Sequence, residues 1–318
     1  MRKKWLLHLI AVVSMVVFII LGVASATGPS RSEIIKAESI DEIERLSDKF
    51  TWLFANAETG GNYVLNVDAD TRLAGSLTSG GTNFLYDFSF KDKNDITITL
   101  KGIGKAQNIV NIQYSGMFNI GSGVTLILEN VLLNGCPQGA PRQNLNSVIV
   151  VGTGGTFIMN EGSGVVGNMS FRDGGGVRVS NGGTFLMNDG IIKGNTCFQP
   201  EDAALAAASG GSANTFNERP CRGGGVFVAV GGTFTKTGGT IAGFSSNSKE
   251  GNITRSFNGI GVSNNNGHAV FAALGSRSGS GLFATVSETG SKRKETNAGP
   301  DVNLHIGSDG TFSGGWDF

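Results

Sequence analysis

The sequence predicts an all-β solenoid, a parallel β-helix with one capping helix at its N-terminal end. Three observations carry this. Three near-copies of one unit follow one another: "SVIVVGTGGTFIMNEGSGVVGN", "GGGVRVSNGGTFLMNDGIIKGN" and "GGGVFVAVGGTFTKTGGTIAGF". Aligned on Thr125, Thr156, Thr184 and Thr233, four further positions agree without a shift. They are Phe118, Ile149, Val177 and Val226; Ile120, Val151, Val179 and Val228; Gly123, Gly154, Gly182 and Gly231; and Leu126, Phe157, Phe185 and Phe234. The anchors are unevenly spaced, and the surplus falls in one place, after the "NG" or "GN" that closes each copy. A fixed unit with variable insertions at one corner is a coil of a solenoid with its loops on one face.

Each copy holds three short strands, represented by Val177–Val179, Thr184–Met187 and Ile191–Lys193. Alternation turns Val177, Val179, Phe185 and Met187 one way and Arg178 and Leu186 the other. Helix is excluded, because each glycine would weaken it by about 0.5–1 kcal/mol. If each copy winds once around an axis, like strands stack about 4.8 Å apart. Phe157, Phe185 and Phe234 then form an internal column, each burial contributing about 1.5–3 kcal/mol. Glycine before each threonine suits a corner with positive φ. Asn168 and Asn195 are placed to run an amide ladder along another corner. Lys236 occupies the position where Met159 and Met187 point inward, and the expectation there is local unwinding near the far end of the column.

The capping helix is expected over residues 39–58. Ser39 and Glu42 have capping-box spacing, and Ile40, Ile43, Leu46, Phe50, Leu53, Phe54 and Ala57 make one apolar stripe. Glu42, Glu44, Arg45, Asp48 and Lys49 take the polar side, and Gly60 and Gly61 stop the helix. Ahead of it, Arg2, Lys3 and Lys4, an apolar run from Leu6 to Val23, and Ala24-Ser25-Ala26 have the layout of a secretory signal peptide cleaved after Ala26. The competing reading is an uncleaved membrane anchor. The expected organisation is a leader over residues 1–26, a linker and capping helix over 27–61, and a repeat domain over 62–318 with an inserted loop at 197–222.

Fifty glycines without a Gly-X-Y period exclude collagen. Twenty-five basic residues balance 25 acidic ones, which leaves no electrostatic footprint for nucleic acid. The unit "GGGVxVxxGGTFxMxxGxIxGN", carried from Tyr63 to the tail "KRKETNAGPDVNLHIGSDGTFSGGWDF", resembles the glycine-rich right-handed parallel β-helix repeat proteins exported by bacteria. Their fold is like that of pectate lyases, and one branch is adhesin-like. The resemblance implies a right-handed coil in an exported protein, periplasmic, on the cell surface or secreted. It carries over no catalytic residue and no cofactor. The function expected is non-enzymatic: adhesion, or binding of a glycan or host-matrix protein through loops on one face. The alternative is a polysaccharide lyase or glycoside hydrolase of the β-helix class.

The residues that would serve that alternative are Glu161 and Asp189, at one repeat position and one coil apart. A separation near 5 Å would suit a retaining glycosidase. Asn130 and Gly238 hold the same position in the flanking coils, and no histidine or arginine recurs beside it, so solvated turn carboxylates are the preferred reading. Asp68 and Asp70 fall short of the six to eight oxygens that calcium takes, and no metal site is expected. Export would place the three cysteines where disulfides form. Cys136 and Cys197 share a corner but stand two coils apart, about 9–10 Å, which disfavours that bond unless the loops bend together. Cys197 and Cys221 flank the large insertion. Either they form a disulfide that leaves Cys136 out, or all three stay reduced.

Overall fold

The computed structural model describes residues 39–74, 84–112, 115–136, 146–197, 221–244, 249–255 and 269–272, and the backbone of Thr285–Glu288 and Val302–Asn303. The leader over 1–26 and residues 198–220 of the insertion lie outside the described residues.

The chain is a right-handed parallel β-helix. Sheet A stacks Asn62–Val67, Ile96–Gly102, Val124–Glu129, Thr156–Met159, Thr184–Met187, Thr233–Lys236 and Thr285–Glu288. Sheet B stacks Thr71–Leu73, Gln107–Asn111, Val131–Asn134, Gly164–Val166, Ile191–Lys193 and Thr240–Ile241. Sheet C stacks Phe84–Phe88, Gly116–Ile120, Ile149–Val151, Val177–Val179, Val226–Val228 and Val270–Ala272. All these neighbours pair in parallel. A short ladder, sheet D, joins Met169–Ser170, Thr196–Cys197 and Ile253–Thr254 between sheets B and C. The chain visits A, B, then C, and repeats. Val302–Asn303 closes sheet C differently, by antiparallel pairing with Val270–Ala272.

The repeat alignment holds residue by residue. Thr125, Thr156, Thr184 and Thr233 are register partners in sheet A. Phe118, Ile149, Val177 and Val226 are partners in sheet C. Thr97 and Thr285 extend the threonine file to windings whose flanking residues hide the motif. Phe157, Phe185 and Phe234 are fully buried and stack with centroids 4.8 Å apart, the strand spacing itself. Gly123, Gly154, Gly182 and Gly231 all have φ between +70° and +77°, a region in which a Cβ would be strained.

Lys236 corrects one expectation. The strand does not unwind: Lys236 stays in register with Met187 and with Glu288 and is fully buried. A single apolar-to-charged exchange leaves the hydrogen-bond ladder intact, because the backbone and not the side chain sets the pairing.

The N-terminal segment also departs from the single helix expected. A short 3-10 turn, Ile40–Glu42, is followed by an extended link and then by helix α1, Leu46–Asn56. Ser39 Oγ accepts the Asp41 N–H at the start of the 3-10 turn, and α1 has no side-chain cap. Ile40, Ile43 and Leu46 are all buried, and the extended backbone at Ile43 lets each reach the same flat surface. Within α1 the buried residues are Leu46, Lys49, Phe50, Trp52 and Leu53. Phe54 is 39% exposed yet stacks on Tyr86, Phe88 and Phe90, and Lys49 turns inward to donate from Nζ to the Asn66 carbonyl at 3.1 Å.

This segment covers the mouth of the first winding. The Phe50 ring lies 4.3 Å from Tyr86, 5.6 Å from Phe88 and 5.8 Å from Phe118. The Lys93 ammonium donates to the Ala57 carbonyl behind the helix. Burial, and secondarily the charge of Asp48, pushes the Tyr86 phenol up to about 12.

Phe185→Ala should lower the unfolding free energy by about 3–5 kcal/mol, read from urea denaturation; a loss below about 1 kcal/mol would show that the rings do not stack. Tyr86 should make stability fall with alkali. Its folded value lies above the unfolded value of 10, so its contribution is complete below pH 10 and is lost as pH rises towards about 12. Tyr86→Phe should flatten that part of the stability–pH curve.

Candidate functional site

The passages from sheet A to sheet B and from sheet C to sheet A are short, with one exception late in the chain. The passage from sheet B to sheet C varies at almost every winding. It runs from Leu73 to Phe84, Asn111 to Gly116, Asn134 to Ile149, Val166 to Val177, Lys193 to Val226 and Ile241 to Val270. The added lengths of chain leave and re-enter the column at this one corner of successive windings.

What anchors that corner is an amide ladder. Asn168, Asn195 and Asn252 are buried one above another. The Asn168 Oδ1 accepts the Cys136 N–H at 3.2 Å, the Asn195 Oδ1 accepts the Asn168 N–H at 3.2 Å, and the Asn252 Oδ1 accepts the Asn195 N–H at 3.0 Å. Each Nδ2 group then donates to one carbonyl of its own turn and one of the winding before: Asn195 to Lys193 and Val165, Asn252 to Ala242 and Ile192. The expected pair is therefore a run of three that begins beneath Cys136. A turn of backbone away from regular pairing leaves polar groups that water cannot reach, and the amides satisfy them.

Beside the ladder, Asp173 and Arg222 face each other across neighbouring windings. Asp173 Oδ1 accepts the Arg222 N–H and Oδ2 accepts Nη2, both at 2.9 Å. The Asp173 side chain is 3% exposed, so the pair works in a low-dielectric setting where charge-assisted hydrogen bonds are strong. The Arg222 guanidinium also stacks over Phe227 and Phe271, 4.8 and 4.9 Å from their centroids, and Arg178 lies 5.4 Å from Phe227. Arg178, Phe227 and Phe271 are register partners on the outer side of sheet C. These residues are absent from the repeat consensus. Aligning the GGG triplets at 174–176 and 223–225 does place Asp173 opposite Arg222, and that signal was readable.

The carboxylates of the enzyme alternative are at a different corner. Glu161 and Asp189 are both exposed, one winding apart on the turn between sheets A and B. Asp189 Oδ1 accepts its own Gly190 N–H at 2.6 Å. The neighbouring Asn188 donates to the Asn160 Oδ1 at 2.9 Å. This is a solvated turn with polar stacking. Asp70 is likewise engaged, accepting from the Asn108 backbone and side chain at 2.8 and 3.1 Å; those bonds hold its carboxyl below the usual carboxylate range. An open cleft of about 810 Å³ beside α1 is lined by Asp41, Glu44, Asp68, Arg45, Lys49 and Arg72, a balanced set with no net field for a charged ligand. Among the described residues no three His, Cys, Asp or Glu side chains gather to hold a metal, and no helix is long and apolar enough to cross a membrane.

Cys136, Cys197 and Cys221 are all buried. Cys136 occupies the ladder position of Asn168, and Thr196–Cys197 lies one winding beyond Met169–Ser170. Cys136 and Cys197 are thus two windings apart, as the spacing predicts. Burial pushes the Cys136 thiol up. The chain matches no family model, no curated protein and no solved structure.

Asn195→Ala should destabilise the protein by about 2–4 kcal/mol, since it strands the Asn168 N–H and two carbonyls in the interior. Asn188→Ala, on the exposed turn, should change stability by under about 0.5 kcal/mol. Equal effects in thermal and urea unfolding would refute the ladder's role.

Proposed function

We propose that this chain is an exported, non-enzymatic surface protein that binds a glycan or a host-matrix protein through segments projecting from one edge of its β-helix. The observation that carries this is the concentration of added chain in the passage between sheets B and C, where almost every winding differs. The column repeats the same buried residues winding after winding, whereas that edge differs at each one. Variation on a rigid frame is how loops acquire recognition without disturbing the scaffold that holds them. Export and kinship with the bacterial exported β-helix proteins rest on the leader and on the "GGTF" repeat unit. Glu161 and Asp189 support the β-helix lyase or hydrolase alternative only by their stacking.

The test is a glycan array and a matrix-protein panel probed with the chain from residue 27 onward, beside a variant whose residues 199–219 are replaced by a short Gly-Ser linker. Binding is expected for the first and a loss of at least tenfold for the second, with unchanged thermal unfolding. Undiminished binding by the variant would refute the edge as the binding surface. Release of unsaturated or reducing sugar from pectate or alginate, abolished by Glu161→Gln or Asp189→Asn, would establish the enzyme instead.

A further inference from the structure

We propose that Cys197 and Cys221 are a redox-closable pair whose disulfide clamps the base of the longest insertion. The register between windings carries this. Val177–Val179 pairs with Val226–Val228. Upstream of both strands, Gly174 and Gly223 each have positive φ, +83° and +70°, and Asp173 faces Arg222. Counting back one residue puts Cys221 on the position of Arg172. On the other side, Thr196–Cys197 pairs with Met169–Ser170, residue for residue, which puts Cys197 on the position of Ser170. In the preceding winding those two positions are separated by a single residue, Phe171. In the cysteine winding, residues 198–220 run between the same two points.

A single intervening residue limits the Cα separation to about 7 Å, which is the range a disulfide spans. The side-chain direction agrees. Ser170 Oγ accepts the Arg172 N–H at 3.0 Å and donates to the Arg172 carbonyl at 3.0 Å, so the side chain at this position turns toward the residue two places on. The equivalent Cys197 Sγ lies 3.5 Å from the Arg222 carbonyl, next to Cys221 in the chain. Both thiols are fully buried. The third, Cys136, sits two windings away.

The column's own pairing continues on either side of this point, from Thr196–Cys197 to Ile253–Thr254 and from Val226–Val228 to Val270–Ala272. The bond is therefore not needed to hold the windings together. Its effect is to tie together the two ends of the insertion where they leave and re-enter the column. Closure is an exchange with a small external disulfide such as oxidised glutathione. One cysteine thiolate attacks it, releasing the first small thiolate and forming a mixed disulfide. The second cysteine thiolate then displaces the other small thiolate. The two cysteine sulfurs are oxidised, the external disulfide is reduced to two thiols, and the two cysteine protons end on them.

The full chain, equilibrated with oxidised glutathione, quenched by alkylation in denaturant and digested without reduction, should yield one Cys197–Cys221 crosslinked peptide and an alkylated Cys136. A crosslink containing Cys136, or alkylation of all three cysteines after oxidation, would overturn the proposal. A second measurement does not depend on cysteine variants folding. A specific protease site is inserted between residues 208 and 209, and the oxidised protein is cut there. The two fragments should co-migrate on a non-reducing denaturing gel and separate on reduction; separation without reductant would refute the clamp.

Discussion

Every feature of this molecule depends on one constraint: a backbone strand in each winding must find its hydrogen-bond partners in the windings above and below. Parallel pairing in strict register meets that constraint for sheets A, B and C at once. Its consequence is that each residue stands on its equivalent, so one choice of side chain is repeated as a file. The phenylalanine file, the threonine file and the asparagine ladder are three expressions of the same requirement. Apolar residues fill the inside, and amides serve the corner where the backbone leaves regular pairing.

The same constraint makes the ends of the column the demanding places, since the first and last windings have a partner on one side only. At the N-terminal end the chain breaks what would have been one helix so that Ile40, Ile43, Leu46 and Phe50 all reach the mouth. The aromatic cluster of Phe50, Tyr86, Phe88 and Phe118 replaces a winding with a lid of different geometry. At the other end Val302–Asn303 pairs antiparallel with sheet C, which reverses the edge that parallel addition would extend.

The repeated part of the fold was legible in the sequence because each winding poses an identical problem, and independent copies of Thr125, Phe157 and Gly182 therefore report one another's roles. Legibility failed where a residue answers to something that does not repeat. Trp52 joins the buried set while Phe54, stacked on Tyr86, Phe88 and Phe90, stays partly exposed, because the mouth is a broad surface and helical spacing alone does not specify how deeply each edge of a stripe is covered. Lys49 lies on the polar side of the helix but reaches the Asn66 carbonyl, a partner distant in sequence. Asn252 joins the ladder although the chain between Ile241 and Ile253 hides its repeat position. Asp173 and Arg222 are a pair only across windings, so neither is conspicuous in its own copy. The carboxylates Glu161 and Asp189 were placed on one turn by counting, and the structure puts them there, exposed and beside stacked asparagines.

The asparagine ladder has a direction. In each case the side-chain oxygen of a later winding accepts an N–H from the winding before it: Asn168 from Cys136, Asn195 from Asn168, Asn252 from Asn195. A chain emerging from its N-terminus therefore leaves every such corner incomplete until the following turn has been made. Structure at this edge trails synthesis by one winding, and the polarity written into three amides gives the assembly of the column an order in time.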